Sequence, residues 1–376
     1  MARKTRRQTT VADVAAALDR IAPPALAQSW DNVGLLIGDR AAGCRQVLLC
    51  IDFTPPVLDE AARAKCEFVV AYHPPLFQPV RRLLADSPDT DALVHRAIAG
   101  GMAIYSPHTA LDAASDGTND VLAELCGATE LEPFEYVATG AAQVKLVTFV
   151  PAKQVDALAG AMAAAGAGRI GEYEQCSFRL AGTGTFYGLE ATSPRVGRKG
   201  RLEQVPEIRI EMVAPVGRVP SVVAALRKAH PYETPAFDIY PLSPEPVAGI
   251  GRVGRLPAGT TLSKLATRLR RATGSKMIMT VGEGRKQLRQ AAICAGAAGR
   301  LPFEKARARD GDVIITGEIR HHEALTILRR GKTAIALGHW ESERPALAAL
   351  ARRLKEKLPA LRVWVSRADA GPFARA

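Results

Sequence analysis

A short apolar run, then a loop with proline or glycine, then a helical stretch recurs along this chain from residue 47 onward, and that order dictates an α/β fold. VLLCID precedes PPVLDEAARA, EFVVAY precedes HPPLF, and MAIYS precedes PHTALDAASD. The same order returns near the C-terminus, in DVIIT before GEIRHHEALTILRR and TAIAL before GHWESERPALAALARRLKEK. Two similar α/β lobes are implied. A chain of 376 residues exceeds one hydrophobic core, which fits two domains or one domain carrying a large insertion.

Between the lobes the character changes. VKLVTFV, the helix-like VDALAGAMAAAG, a Gly-rich stretch, EIRIEMVAP, the helix-like SVVAALRKA and AFDIYPL follow in turn. That order is β-α-β-β-α-β, the ferredoxin-like arrangement of a self-contained α+β insertion. The expected division is a first α/β lobe over 1–141, an inserted domain over 142–246 and a second lobe over 247–376, which together form one metal-binding domain around the insertion. AGTGTFYGLEATSPRVGRKGRL is expected to form a hairpin and loop, and SPEPVAG a linker.

No window approaches the roughly 18 uninterrupted apolar residues of a membrane span. After MARKTRRQTT, VADVAAALDRI has helical spacing with charges between its apolar positions, so no signal-peptide block is seen and the cytoplasm is the expected compartment. The cysteines Cys44, Cys50, Cys66, Cys126, Cys176 and Cys294 are scattered without a CxxC, which fits reduced thiols in a core. The net charge of +12 is uneven, with 26 Lys+Arg against 10 Asp+Glu in residues 250–376. A basic region of this kind attracts nucleotides, phosphates or nucleic acid, or is a solvated face. No aromatic interleaving favours single-strand stacking.

GIGRVG at 249–254 matches GxGxxG in letters only. The dinucleotide fingerprint needs a strand before it and a helix N-terminus after it, whereas a Pro-rich linker precedes this one and RLPAG follows.

Three apolar runs each deliver potential metal ligands from their ends. His73 follows EFVVAY, His108 and Asp112 follow AIYSP, and His339 and Glu343 follow TAIALG. In parallel α/β sheets the strand C-termini are where such groups converge. The last two pairs read H-x-x-x-[DE], which places imidazole and carboxylate one turn apart on one helix face. This mix suits zinc, manganese, iron or nickel. Asp31, Asp52 and the pair Glu318 and His322 stand nearby in sequence, and a turn residue, a helix N-cap and a helix-surface pair explain them equally well. His230, in AHPYETPAFDIY, is expected to order the loop into the last strand of the insertion.

With these motifs in view, the chain resembles the Nif-three-like family of dinuclear-metal-centre proteins, known as GTP cyclohydrolase 1 type 2 homologs. The matching stretches are SWDNVGLLIGD, AYHPPLF, SPHTALDAASDGTND, GRIGEYEQCSFRLAGTGTF through AHPYETPAFDIYPL, GIGRVGRLP, ITGEIRHHEAL and GHWESERPAL, in family order over residues 10–360. The resemblance implies a homohexamer, paired metals between two α/β lobes and a PII-like or CutA-like insertion. Its metal motif falls on His73, Asp112, His339 and Glu343, with His108 as a further ligand. Where the family has two adjacent histidines this chain has Tyr72 before His73, which leaves one or two ions per chain open. AGAAGR also replaces the family's run of glycine and serine.

The expected activity is metal-dependent hydrolysis of a nucleotide or phosphate ester, with Glu318 or His322 as proton shuttle. The alternative is a non-catalytic metal-handling or regulatory ring. Nucleic-acid binding through the basic face is a third reading, one that predicts salt-sensitive affinity independent of metal.

Overall fold

The structure, a computed structural model, describes residues 8–137, 143–243, 248–308 and 313–373. The chain divides into two compact units, Met1–Val137 with Pro246–Ala376, and Ala138–Glu245. The expected linker SPEPVAG falls largely on residues 244–247, outside the described residues.

The first unit is built on two large sheets. In the five-stranded sheet the order is Gly34–Ile37, Ala103–Ser106, Phe68–Ala71, Gln46–Cys50 and Arg362–Val365, all parallel except the first. The six-stranded sheet runs Met279–Val281, Thr333–Ala336, Val313–Thr316, Gln290–Cys294, Arg252–Arg255 and Thr129–Glu132, parallel at its centre and antiparallel toward both edges. Phe68–Ala71, Ala103–Ser106, Val313–Thr316 and Thr333–Ala336 are buried at every position. That is why they read as unbroken apolar runs and do not alternate: in a parallel sheet both faces are covered.

Sheet membership does not follow the boundaries at 141 and 247. Arg362–Val365, near the C-terminus, pairs in parallel with Gln46–Cys50, and Thr129–Glu132 pairs with Arg252–Arg255. Each sheet therefore takes an edge strand from the other half of the chain. The pairing is by backbone hydrogen bonds, which a local apolar pattern does not encode.

The helix His339–Lys357 links the two sheets. It leaves the end of Thr333–Ala336, and its Leu347, Leu350 and Leu354 lie in the core beside Leu49, Phe68 and Val70 of the other sheet. The three- and four-residue spacing makes one apolar stripe, and each buried leucine stabilises by about 1.5–3 kcal/mol. Its first turn is thereby fixed close to the ends of strands from both sheets.

The second unit has strands Gln143–Val150, Phe178–Tyr187, Leu202–Pro215 and Phe237–Leu242 and helices Val155–Ala164 and Val219–Ala229, in the order β-α-β-β-α-β. Its sheet order, Phe237–Leu242, Gln143–Val150, Leu202–Pro215, Phe178–Tyr187, is ferredoxin-like and antiparallel throughout. The expected hairpin is formed by Phe178–Tyr187 with Leu202–Pro215. Leu146, Leu158, Met162, Ile210, Val222 and Leu226 form its core. Among the described residues no helix is long and apolar enough to cross a membrane.

Candidate metal centre

Three strand ends converge in the first unit. The N–H groups of Tyr72 and His73 donate to Cys50 O at 2.9 Å and Ile51 O at 3.0 Å, which carries the sheet ladder up to the site. His108 opens the helix His108–Ala113 with Asp112 one turn on, and His339 opens its own helix with Glu343 one turn on. Both H-x-x-x-[DE] pairs thus lie on helices whose first turn follows a parallel strand.

His73, His339 and Glu343 form a group whose ligand atoms all lie within 4.8 Å of one another. His73 Nε2 is 3.3 Å from Glu343 Oε2, and His339 Nε2 is 3.2 Å from Glu343 Oε1. The His73 ring centroid is 5.3 Å from those of both His108 and His339.

Each of these three imidazoles is held from behind by a carboxylate. Nδ1 of His73 donates to Asp52 at 2.8 Å, Nδ1 of His108 to Asp31 at 2.9 Å, and Nδ1 of His339 to Glu318 at 2.9 Å. A carboxylate on Nδ1 fixes ring orientation and tautomer and makes Nε2 a better donor to a cation. Asp31, Asp52 and Glu318, for which sequence offered plain structural readings, therefore share one role. The signal was present in their positions: Asp31 follows a tryptophan in a turn, and the other two end or follow apolar strands.

Electrostatics match this geometry. Burial opposes charge on His73, but Asp52 and Glu343 outweigh it and raise its pKa to about 10. The hydrogen bond to Glu343 raises His339 to about 9 against the effect of burial, with Glu318 adding to the rise. Burial also works against the Glu343 carboxylate, yet the two imidazoles hold it below the usual range. Without an ion, two protons on the histidines balance this buried anion.

The donor set fits a divalent cation. Two imidazoles and one carboxylate are the three protein ligands of an open zinc-type site, with a coordination position left for water or substrate. Glu343 is 3% exposed, and its Oε2 has no hydrogen-bond partner among the described residues. In the ion-free protein the protonated Nε2 of His73, 3.3 Å away, is the cation that faces this oxygen, and a divalent ion would take that place. Gly296 keeps the space open: at φ +66 a Cβ there would lie 2.3 Å from Glu343 Oε1 and 3.4 Å from His339 Nε2. Its N–H donates to Ser342 Oγ at 2.9 Å, and Ser342 in turn donates to His339 O at 2.7 Å. No spacing motif in the sequence marks Gly296 or Ser342 as part of a site.

Asp112 stands apart from the trio. Its carboxylate accepts hydrogen bonds from Tyr72 and Thr118, and burial, with Glu343 adding, pushes its pKa up to about 6. Burial and the same two carboxylates keep the Tyr72 phenol well above its ordinary value, so it is a neutral donor. His322 is exposed in the first turn of His321–Arg329, its ring 5.4 Å from that of His321, and it has no hydrogen bond or ion pair to the centre among the described residues.

A cleft of about 910 Å³ adjoins the centre, with His339 and Glu318 in its wall. Another of about 720 Å³ lies within the second unit along Leu180–Gly188. It is the more apolar of the two, but among the described residues no histidine or cysteine lines it, so metal chemistry points to the first.

The Duf34/NIF3 (NGG1p interacting factor 3) family model matches residues 9–372. A Mycobacterium bovis protein named GTP cyclohydrolase 1 type 2 homolog is 39% identical over 342 residues, covering 89% of this chain and 88% of its own. A Bacillus subtilis protein of the same name is 31% identical over 360 residues, covering 94% and 95%. Among solved structures, a Bacillus cereus protein related to NIF3 superposes with TM-score 0.77 at 30% identity, covering 99% of this chain and 100% of its own. Staphylococcus aureus protein SA1388 gives TM-score 0.84 at 25% identity, with the same coverage. With the whole two-unit fold and nearly the full length matched, this chain belongs to the Duf34/NIF3 family.

Proposed function

We propose that this protein is a metal-dependent hydrolase of a nucleotide or another phosphate ester, with a divalent ion held by His73, His339 and Glu343. The observation that carries the reading is the convergence of two carboxylate-backed imidazoles on the buried carboxylate of Glu343. Zinc, manganese, iron and nickel all suit this donor set. When bound, such an ion supplies Lewis-acid polarisation and acidifies water.

The chain's own groups do the rest. Glu318 and Asp52 are positioning residues that hold His339 and His73 in the tautomer with Nε2 facing inward. Asp112, with its pKa near 6, accepts a proton at its carboxylate. His108 lies beside His73, oriented by Asp31. His322 has no part in this scheme. The relatives named GTP cyclohydrolase 1 type 2 homolog support a nucleotide as substrate.

Self-association as a homohexamer belongs to the same reading. It is supported by the outward apolar side chains Phe178, Tyr187 and Leu202 on the hairpin of the second unit, exposed by 63%, 56% and 65%. Light scattering on the purified chain tests it through the mass.

The function is tested by elemental analysis and by hydrolysis of nucleotides and p-nitrophenyl phosphate, on wild type, chelated protein and His339→Ala. Bound metal with activity that vanishes in the other two samples is expected. Metal without any hydrolysis would overturn the hydrolase and leave a metal-handling protein.

A further inference from the structure

We infer that the cleft beside His339 is a binding site for a small organic phosphate, with Arg270, Lys276 and Arg320 taking the phosphate and Met277, Met279 and Phe373 taking an apolar or aromatic body. The inference rests on the metal-centre reading for its chemistry and adds the substrate-recognising residues.

Three separate elements bring the cations to one cavity. Arg270 is in the last turn of Leu262–Thr273, Lys276 is on the loop that follows, and Arg320 precedes the helix His321–Arg329. The side-chain cation of none of the three forms an ion pair among the described residues, although the Arg320 backbone N–H donates to Glu323 and ion pairs are common elsewhere on this chain. Among the described residues Glu318 and Glu341 are the only acidic ones in the wall, and Glu318 already accepts the hydrogen bond of His339. The cavity is therefore net positive before any metal is counted. An anion entering it meets unpaired guanidinium and ammonium groups, and guanidinium matches phosphate with two parallel hydrogen bonds.

The loop carrying Lys276 and Met277 is anchored. Ser275 is 3% exposed, and its hydroxyl donates to Leu337 O at 2.7 Å, two residues before His339. Met279 pairs across the sheet with Ala336, on the strand that leads to His339. Met277 and Met279 are 48% and 61% exposed, and Phe373 is 74% exposed. Polarisable thioethers and a ring beside a cationic cluster form a surface on which a flat organic group stacks. A volume of about 910 Å³ is at the upper end of small-molecule sites, enough for a nucleotide and far more than free phosphate needs.

The test is calorimetric titration of the full, zinc-loaded chain with the four ribonucleoside 5′-monophosphates, and with the free nucleosides and inorganic phosphate as controls. Wild type, Arg270→Ala, Lys276→Ala, Arg320→Ala and Met279→Glu are compared, with zinc content measured on each sample. At least one nucleotide is expected to bind, with its nucleoside and inorganic phosphate each weaker by roughly tenfold or more. Arg270→Ala, Lys276→Ala and Arg320→Ala are each expected to weaken it by about tenfold, the scale of one charge-assisted hydrogen bond, and Met279→Glu by a similar factor through a carboxylate set against the anion, all with unchanged zinc content. No binding across the panel, or binding indifferent to all four substitutions while zinc stays bound, overturns the inference and leaves the metal centre standing. Substitution-sensitive nucleotide binding by protein that takes up no zinc overturns the metal centre and leaves the cleft. Inorganic phosphate binding as tightly as any nucleotide removes the organic body from the inference and so overturns it.

Discussion

The hydroxyl of Tyr72 donates a hydrogen bond to the carboxylate of Asp112, and both residues lie within electrostatic reach of Glu343. Tyr72 fills the place where the family resemblance leads one to expect a histidine. As a neutral phenol it satisfies Asp112, where an imidazole would join it in binding a cation. The carboxylate that would be needed for a second ion is thus engaged. Elemental analysis is expected to give about one divalent ion per chain in wild type, rising toward two in Tyr72→His. Two in wild type would show that the phenol does not block the second position.

Metal uptake should release protons. His73 and His339, raised to about 10 and 9, carry protons at neutral pH in the ion-free protein, and a cation displaces them from Nε2. Affinity should therefore climb as pH rises toward that window, and calorimetry in buffers of different ionisation enthalpy should find about two protons released at pH 7.5. The sign for stability is opposite. These two raised groups stabilise the ion-free fold fully below their unfolded value of about 6.5, and that contribution fades as pH rises through about 9 to 10. Ion-free protein with a melting temperature that does not fall over that range would contradict the pairing.

The orienting carboxylates can be separated by their targets. Asp52→Asn and Glu318→Gln should each lower metal affinity by about 10–100-fold, because they loosen imidazoles of the trio. Asp31→Asn acts on His108, outside the trio, and should change affinity little. Competition with a chromophoric chelator measures all three. Equal losses in all three variants would make His108 a ligand.

Much of this architecture is legible in the sequence. Unbroken apolar runs such as FVVA and VIIT announce strands covered on both faces, and the β-α-β-β-α-β order of the insertion can be read from its periodicities. The residues that converge at the candidate centre, His73, His339 and Glu343, are legible too, because a strand end that delivers a histidine, or H-x-x-x-[DE], is a local pattern. What stays hidden is non-local. Asp369 accepts from the N–H of Ile51 at 2.8 Å across 318 residues, and Glu60 accepts from Ser366 and Ala368, so the C-terminal segment is sewn to the strand end that bears Asp52. No spacing rule relates those positions. The pairing of Asp52, Asp31 and Glu318 with three histidines is equally invisible, since each aspartate or glutamate has an adequate local explanation.

Arg252 belongs to the misleading GIGRVG stretch, and its function is structural. Arg252 is 4% exposed; its guanidinium grips Asp120 with two hydrogen bonds of 2.6 Å and also donates to the carbonyls of Gly249, Gly251 and Ala114. Arg252→Ala takes the guanidinium donor from a largely buried carboxylate and from the carbonyls of Gly249 and Gly251, while Ala114 O keeps the N–H of Gly117, and should destabilise the first unit by about 3–5 kcal/mol. Urea unfolding followed by tryptophan fluorescence measures it, because Trp30, Trp340 and Trp364 all lie in that unit. A change under about 1 kcal/mol would mean water replaces the guanidinium freely.

His230 gives the second unit its own pH response. The residue is 7% exposed, Nε2 donates to Phe149 O at 2.9 Å, and Nδ1 accepts from the Tyr232 N–H at 3.1 Å. Only a neutral ring with its proton on Nε2 satisfies both, because a second proton would point at the Tyr232 N–H. Burial lowers the pKa below its ordinary value, and Phe149 O and Glu207, the charged group facing the ring, offset this only in part. The unfolded chain therefore takes up a proton near pH 6.5 that the folded unit refuses, so stability is full above that pH and falls as pH drops toward the depressed value. Hydrogen exchange at the amides of Tyr232 and of Gln143–Val150, corrected for intrinsic rate, should lose protection between pH 7.5 and about 5.5 in wild type. In His230→Gln protection should be lower at neutral pH and nearly flat. A flat profile in wild type would mean that Glu207 holds the protonated ring in place, and that the bond to Tyr232 is not what locks this loop.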